Sequence, residues 1–248
     1  KGYRTAICGA LLPAGRDDLN NCTELTKLME SLVRESPPTG NIVPKWDLSF
    51  VLWSLTEAPF EPIRTTSLKF LTWKTLVLLL LASGARRSEV HAVDWKTVEH
   101  GDSWTHVVLH PVIGFVHKTQ RSRGVAKKPK VITIPALQPL CTQGLEAEKT
   151  LCPVRALKVY LSRTQLLRAK EQRTLFVSYD QSRHRHKAVH KNTLSGWVRK
   201  TIMYCYEHAT ERSAALVSAR AHDLRGMATT LAFEGSAEME DILRAGSW

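Results

Sequence analysis

The sequence predicts a mainly α-helical protein with one small antiparallel β-sheet, an α+β fold. Apolar residues recur at helical spacing through most of the chain, and the period drops to two only between Val93 and Leu137. With 248 residues, 43% of them hydrophobic, the chain has enough apolar surface for a sizeable core, and wholesale disorder is excluded.

The first forty residues read as helix, loop, helix and linker. Asn21 and Glu24 have the spacing of a capping pair, and Leu25, Leu28, Met29, Leu32 and Val33 share one helical face. Ser36-Pro37-Pro38-Thr39-Gly40 cannot continue that helix, which places a domain boundary between residues 40 and 41. A new helix begins after Asp47, a good N-cap, with Leu48, Val51, Leu52 and Leu55 as its stripe. The next, Thr66 to Ala82, is apolar on most sides and therefore central, and Gly84 suits the position that ends it. Arg86 thus falls just past the end of a rigid buried element.

Trp104, His106, Val108 and His110 alternate with Thr105, Val107 and Leu109, and Val131-Ile132-Thr133-Ile134 is β-branched, so both read as strands joined by a basic hairpin. Pro153 opens a further helix through Val154, Leu157 and Leu161, and Leu175-Phe176-Val177 reads as a short strand or buried extended piece. Three more helices carry Leu194, Trp197, Val198 and Ile202, then Leu224, Met227, Ala228 and Leu231, then Met239, Ile242 and Leu243.

Lysine and arginine number 35 against 23 aspartates and glutamates, a formal charge of +12. A field of that sign concentrates polyanions, nucleic acid first among them. The charge is clustered. Lys118, Arg121, Arg123, Lys127, Lys128 and Lys130 form one run, and Arg183, Arg185, Lys187 and Lys191 form another with His184, His186 and His190. Both are expected to contact DNA phosphates. A metal site at the histidines is disfavoured, because neighbouring cations repel a metal ion and neither cysteine nor carboxylate joins them. The five cysteines are scattered, odd in number and form no CxxC pair, which fits reduced intracellular thiols. The longest apolar run, Leu76 to Ala82, is far short of the ~20 residues that cross a bilayer. Lys1 opens no signal-peptide pattern. The missing initiator methionine and abrupt end lead us to expect an excised fragment.

Chemistry concentrates in two places. Gly84-Ala85-Arg86-Arg87-Ser88-Glu89 offers arginine forks that bind two phosphate oxygens at once, with Glu89 spaced to hold Arg86 by a salt bridge. His222-Asp223-Leu224-Arg225 opens a helix, so His222 and Arg225 lie one turn apart beside free backbone N–H groups. Two arginines can neutralise a phosphorane-like transition state without a metal.

Gly-x-Arg-x-x-Glu after a buried helix, His-x-x-Arg near the C-terminus and Ala245-Gly246-Ser247-Trp248 after a further helix resemble, in order and spacing, the tyrosine recombinase (phage integrase) family over roughly residues 41 to 248. The ending resembles the form whose third-position histidine is a tryptophan, as in the Cre recombinase. Trp46-Asp47, Leu151-Cys152-Pro153-Val154-Arg155-Ala156-Leu157 and Leu175-Phe176-Val177-Ser178 are similar to the recombinases of DIRS-type retrotransposons. The resemblance implies the recombinase catalytic-domain fold over 41–248, preceded in 1–40 by the end of a helical core-binding domain that clamps DNA. It implies that Arg86 and Arg225 clamp the scissile phosphate, with Arg87 as the fallback for Arg86, and that Glu89 supports Arg86. His222 would bind phosphate and assist proton transfer, and Trp248 would donate its indole N–H to a phosphate oxygen. Lys118 would be the general acid for the leaving 5′ oxygen, with Arg121 or Lys127 as alternatives on the same hairpin.

The family's nucleophile is a tyrosine shortly after the tryptophan position, and no tyrosine follows Trp248 here. Tyr204 and Tyr206 precede His222 on a helix with an apolar stripe and read as core. The sequence therefore leads us to expect a recombinase catalytic domain that binds duplex DNA but does not cleave it unaided. The implied activity of the whole enzyme is DNA integration of a mobile element through a 3′-phosphotyrosyl link, in the nucleus, as a homotetramer on paired sites and without a cofactor. The alternatives are a domesticated, non-catalytic DNA-binding module, or a basic helical scaffold for RNA or an acidic protein.

Overall fold

The computed structural model describes residues 22–35, 46–116, 130–137, 149–180, 188–208 and 219–246. The chain divides into two compact units, Lys1–Val43 and Pro44–Trp248. In the first, helix α1 (Thr23–Glu35) starts where the Cys22 sulfur accepts the Leu25 N–H at 3.5 Å. Asn21, the predicted cap, lies outside the described residues. Leu28 and Leu32 of the predicted stripe are exposed.

In the second unit, α2 (Leu48–Thr56) begins as expected, with the Asp47 carboxylate accepting the Ser49 and Phe50 N–H groups at 2.9 and 3.3 Å. Helix α3 (Leu68–Ser83) is buried at every position from Leu71 to Leu80. A helix with no polar face can only run through the middle of a domain. It packs against α5 (Pro153–Thr164), α6 (Lys191–Glu207) and α7 (Asp223–Glu234). Gly84 ends it in the left-handed region, φ 56°, where a side chain would cost roughly 1–2 kcal/mol.

One charged residue lies within the buried run of α3. Lys74 is wholly buried, and its ammonium donates to the Leu55 carbonyl at 2.6 Å and to Glu61 Oε1 at 2.5 Å. Arg155 of α5 closes on the same carboxylate with two bonds, 2.8 and 3.1 Å. The triad ties the loop after α2, the central helix and α5 through one glutamate.

The sheet has the order β1-β2-β3, all antiparallel, from β1 (Glu99–His100), β2 (His106–Leu109) and β3 (Ile132–Pro135). His106 faces Pro135 and Leu109 faces Ile132. Val107, Leu109, Ile132 and Ile134 point into the core. The strand predicted from Trp104 starts two residues later. Ser103 and Trp104 have φ 54° and 64°, in a 3₁₀ turn (Asp102–Trp104) that reverses the chain between β1 and β2. Gly101 makes that reversal possible, since a Cβ there would sit 2.5 Å from the His106 ring.

Leu175-Phe176-Val177 is a buried extended piece. Leu175 N–H donates to the Val93 carbonyl and Val177 N–H to the Tyr160 hydroxyl, at 2.8 and 2.9 Å. Tyr204, partly buried, packs against the core at Phe60, Phe70 and Trp73, and the Tyr206 hydroxyl accepts the Asp47 N–H at 2.7 Å from within the core, so core packing accounts for both as expected. The predicted stripe of α7 is corrected. Leu224 is buried and Met227 and Ala228 are partly so, but Leu231 is exposed, because the helix leaves the core after its first two turns. In α8 (Met239–Gly246), Ile242 is buried and Met239 exposed.

Candidate active site

The site grows from the sharp end of α3. After Gly84, Arg86 caps a short helix, α4 (Arg87–His91), that periodicity does not reveal. Glu89 folds back on Arg86 twice, its Oε1 accepting the guanidinium and its Oε2 the backbone N–H, each at 3.0 Å. Burial opposes the Glu89 charge, but those bonds and the nearby Lys130 and Arg86 charges outweigh it and hold the carboxyl below its ordinary range. Arg87, which lines the same cleft as Arg86, bonds the Ser195 hydroxyl on α6, while the His91 ring bonds the Val189 carbonyl at 2.6 Å. Arg86 is thereby aimed into the cleft, and Arg87 docks α4 on α6.

The second half comes from the start of α7. His222 sits at its N-cap, exposed, and Arg225 lies one turn on, buried. Asp223 between them points backwards. Its Oδ2 accepts the Arg220 N–H at 2.8 Å and the Trp46 indole N–H at 3.2 Å, across 177 residues of chain. Burial pulls the Arg225 pKa down, the Arg86 guanidinium pushes it further, and Glu89 acts in the opposite sense. The Arg86 and Arg225 guanidiniums therefore lie near enough to repel each other, and Glu89 offsets that repulsion at Arg225.

Between these halves lies a cleft of about 620 Å³, whose walls include Arg86, Arg87, Arg199, Arg220, His222 and Arg225 and, among the described residues, no carboxylate. Such a cavity suits an anion. Arg199 on α6 and Arg220 before α7 were not singled out from the sequence. Each is an isolated basic residue, and only the packing of α6 beside α7's entry makes it part of a wall.

Lys130 is a further addition. It was expected among the DNA-contacting residues of the hairpin, yet it stands half-buried at the foot of β3 beside the site. Burial lowers its pKa, Glu89 counters that, and Arg225 and Arg86 lower it again. Lys118, Arg121, Arg123, Lys127, Lys128, Arg183, Arg185, Lys187 and Trp248 lie outside the described residues. His190, from the histidine run, caps α6 by accepting the Asn192 N–H at 3.2 Å. Among the described residues, no three metal-ligating side chains cluster and no helix is long and apolar enough to cross a membrane. No described tyrosine lines the cleft. Tyr160 is fully buried, and burial raises its pKa to about 12.

Glu89 gives the site a pH signature. A carboxylate whose pKa is lowered by folding adds stability above its unfolded value, near 4.3, and loses it as pH falls through the folded value. Glu89→Gln is expected to be less stable than wild type at pH 6 by about 1–3 kcal/mol. The two melting curves should converge as pH falls below about 4. A gap that is constant with pH would show that the Glu89 charge has no part in fixing Arg86.

A helical core crossed by a central buried helix, with a three-stranded antiparallel sheet at its side, is the fold of the tyrosine recombinase catalytic domain. Recombinases are among the solved structures similar to it. One is the XerH site-specific recombinase bound to its difH substrate in a pre-cleavage complex, with TM-score 0.52, 15% identity, and coverage of 83% of this chain and 47% of that one. Another is the XerA recombinase, with TM-score 0.50, 16% identity, and coverage of 85% and 57%. The chain thus spans 47% and 57% of the lengths of these recombinases. No protein-family profile matches the chain, and no curated protein is similar to it in sequence.

Proposed function

We propose that Pro44–Trp248 is the catalytic domain of a tyrosine site-specific recombinase acting on duplex DNA. One observation carries this reading: Arg86 and Arg225, 139 positions apart in the sequence, converge with His222 on one cleft that no described carboxylate lines, and Glu89 locks Arg86 in place. Two guanidiniums there would grip the non-bridging oxygens of a phosphodiester and offset the charge that builds as it is attacked. His222, at the helix N-terminus, would bind the same phosphate and carry a proton. The leaving 5′ oxygen needs an acid. Lys118 fills that role by family resemblance, and Lys130 is supported by its electrostatic coupling to both arginines and its lowered pKa. Trp248 would add an indole N–H to the phosphate. The attacking tyrosine would leave a 3′-phosphotyrosyl link, and the link would store the bond energy for rejoining. No cofactor enters this scheme.

The finer reading is DNA integration by a DIRS-type mobile element in the nucleus, by homotetramers on paired sites, with residues 1–40 ending a DNA clamp. It rests on the motif resemblances alone. A domesticated, non-cleaving DNA-binding module is the second reading, favoured by one observation: the described tyrosines are held away from the cleft in core contacts.

Trapping on a suicide duplex separates the two. The protein as its gene encodes it should form a covalent adduct through a tyrosine, and Arg86→Ala or Arg225→Gln should abolish it. Tight duplex binding by that protein with no adduct would select the non-cleaving module.

A further inference from the structure

The face of α5 opposite the core borders a second cleft, about 670 Å³, walled by Arg64, Trp104, Cys152, Arg155, Lys158 and Arg163. No carboxylate lines it among the described residues. Arg155 is already matched by Glu61. Arg64, Lys158 and Arg163 form no ion pair among the described residues: Lys158 rests over the Trp104 ring at 5.2 Å, and Arg163 spends one N–H on the Thr66 carbonyl at 2.6 Å. Three cations face a concave wall without counter-charge, and the positive end of α5, capped by Cys152, opens at its edge. A concave, low-dielectric wall focuses such a field on whatever enters.

This cleft is separate from the catalytic one. Lys130, beside the arginines, and Ala136, in the second cleft, stand at opposite ends of β3. Six residues of extended chain put them about 20 Å apart. The turn that carries Trp104 is held in the left-handed region at two successive residues, and Trp104 is stacked on His100 at 4.2 Å. The aromatic wall is thus fixed from behind.

We propose that this cleft is a second phosphate site, taking the oxyanions of phosphate esters on Arg64, Lys158 and Arg163. Arginine forks match two phosphate oxygens, and the lysine supplies a mobile point charge. The phosphate has two possible sources, a stretch of DNA backbone beyond the scissile position or a free nucleotide. The proposal does not depend on the chemistry of the catalytic cleft.

Calorimetric titration of the whole chain with inorganic pyrophosphate at low salt tests it. Wild type should bind at two sites. Arg64→Ala/Lys158→Ala, two exposed positions whose loss leaves the core intact, should lose one site, with at least a tenfold weaker affinity there. Arg86→Ala should weaken the other site and spare this one. No site in wild type, or every wild-type site unchanged in the Arg64/Lys158 variant, overturns the proposal. Duplex binding against salt then assigns the source. A slope reduced by about 2 in the Arg64/Lys158 variant identifies DNA backbone. An unchanged slope beside a lost pyrophosphate site identifies a free phosphate ligand. Binding of an acidic peptide in the cleft with none of pyrophosphate would replace the proposal with a protein partner.

Discussion

Glu61→Ala should be among the most destabilising single substitutions in the molecule. Lys74 is wholly buried, and Glu61 is its only carboxylate partner among the described residues. Removing one member of a buried pair leaves the other charged and desolvated, at about 3–5 kcal/mol, which lowers the melting temperature of a chain this size by roughly 10 °C or more. Burial lowers the Lys74 pKa while Glu61 opposes that, so the variant should recover part of its stability at alkaline pH as the lysine sheds its proton. The control is Glu61→Gln with Lys74→Met. It leaves no buried charge, and Arg155, partly exposed, can turn to water, so most of the loss should be regained. A Glu61→Ala protein that melts within a degree or two of wild type would show that the triad does not hold the loop to the central helix.

Asp223→Ala is expected to damage the arginine cleft without removing any group proposed to touch phosphate. Asp223 holds the turn before α7 through the Arg220 N–H and anchors it to the buried Trp46. Its loss removes two hydrogen bonds and strands an indole N–H in the core, together about 2–3 kcal/mol. It also frees the backbone that sets His222 and Arg225. A misplacement of about 1 Å can cost 10²-fold in a reaction that depends on alignment. Asp223→Asn keeps an acceptor oxygen and should retain most of the stability and DNA affinity, and Trp46→Phe should show the smaller loss of a single bond. If the alanine variant lost stability while duplex binding was untouched, Asp223 would be a structural cap with no positioning role.

Much of this was legible from the sequence, and what was missed has a common cause. The helix that ends at Gly84 announces itself by an apolar run and a glycine, and Arg86 with Glu89 by local spacing, since an i,i+3 pair meets wherever a turn forms. His222 and Arg225 are legible for the same reason. Lys130 was read only as one of several cations in a hairpin, because nothing local says which lysine the strand register will turn towards Glu89. The Trp46–Asp223 bond spans most of the chain, and Arg199 and Arg220 join the cleft only through packing between helices. The error at Leu231 has the opposite origin. Periodicity marks which face is apolar, but not where a helix runs out of core to cover it. At Trp104 the alternation was real, but the short link between β1 and β2 required a left-handed turn, and turn geometry prevailed over strand propensity.

The central claim is that Arg86 and Arg225 form one clamp on a DNA phosphate. Duplex affinity measured against salt for wild type, Arg86→Ala and Arg225→Gln, each confirmed folded by its melting curve, tests it most directly. Each lost phosphate contact should lower the slope of log K against log salt by about 1. Affinity should fall roughly tenfold or more for any duplex sequence, because phosphate contacts carry no sequence information. Slopes and affinities equal to wild type in both folded variants would contradict the account.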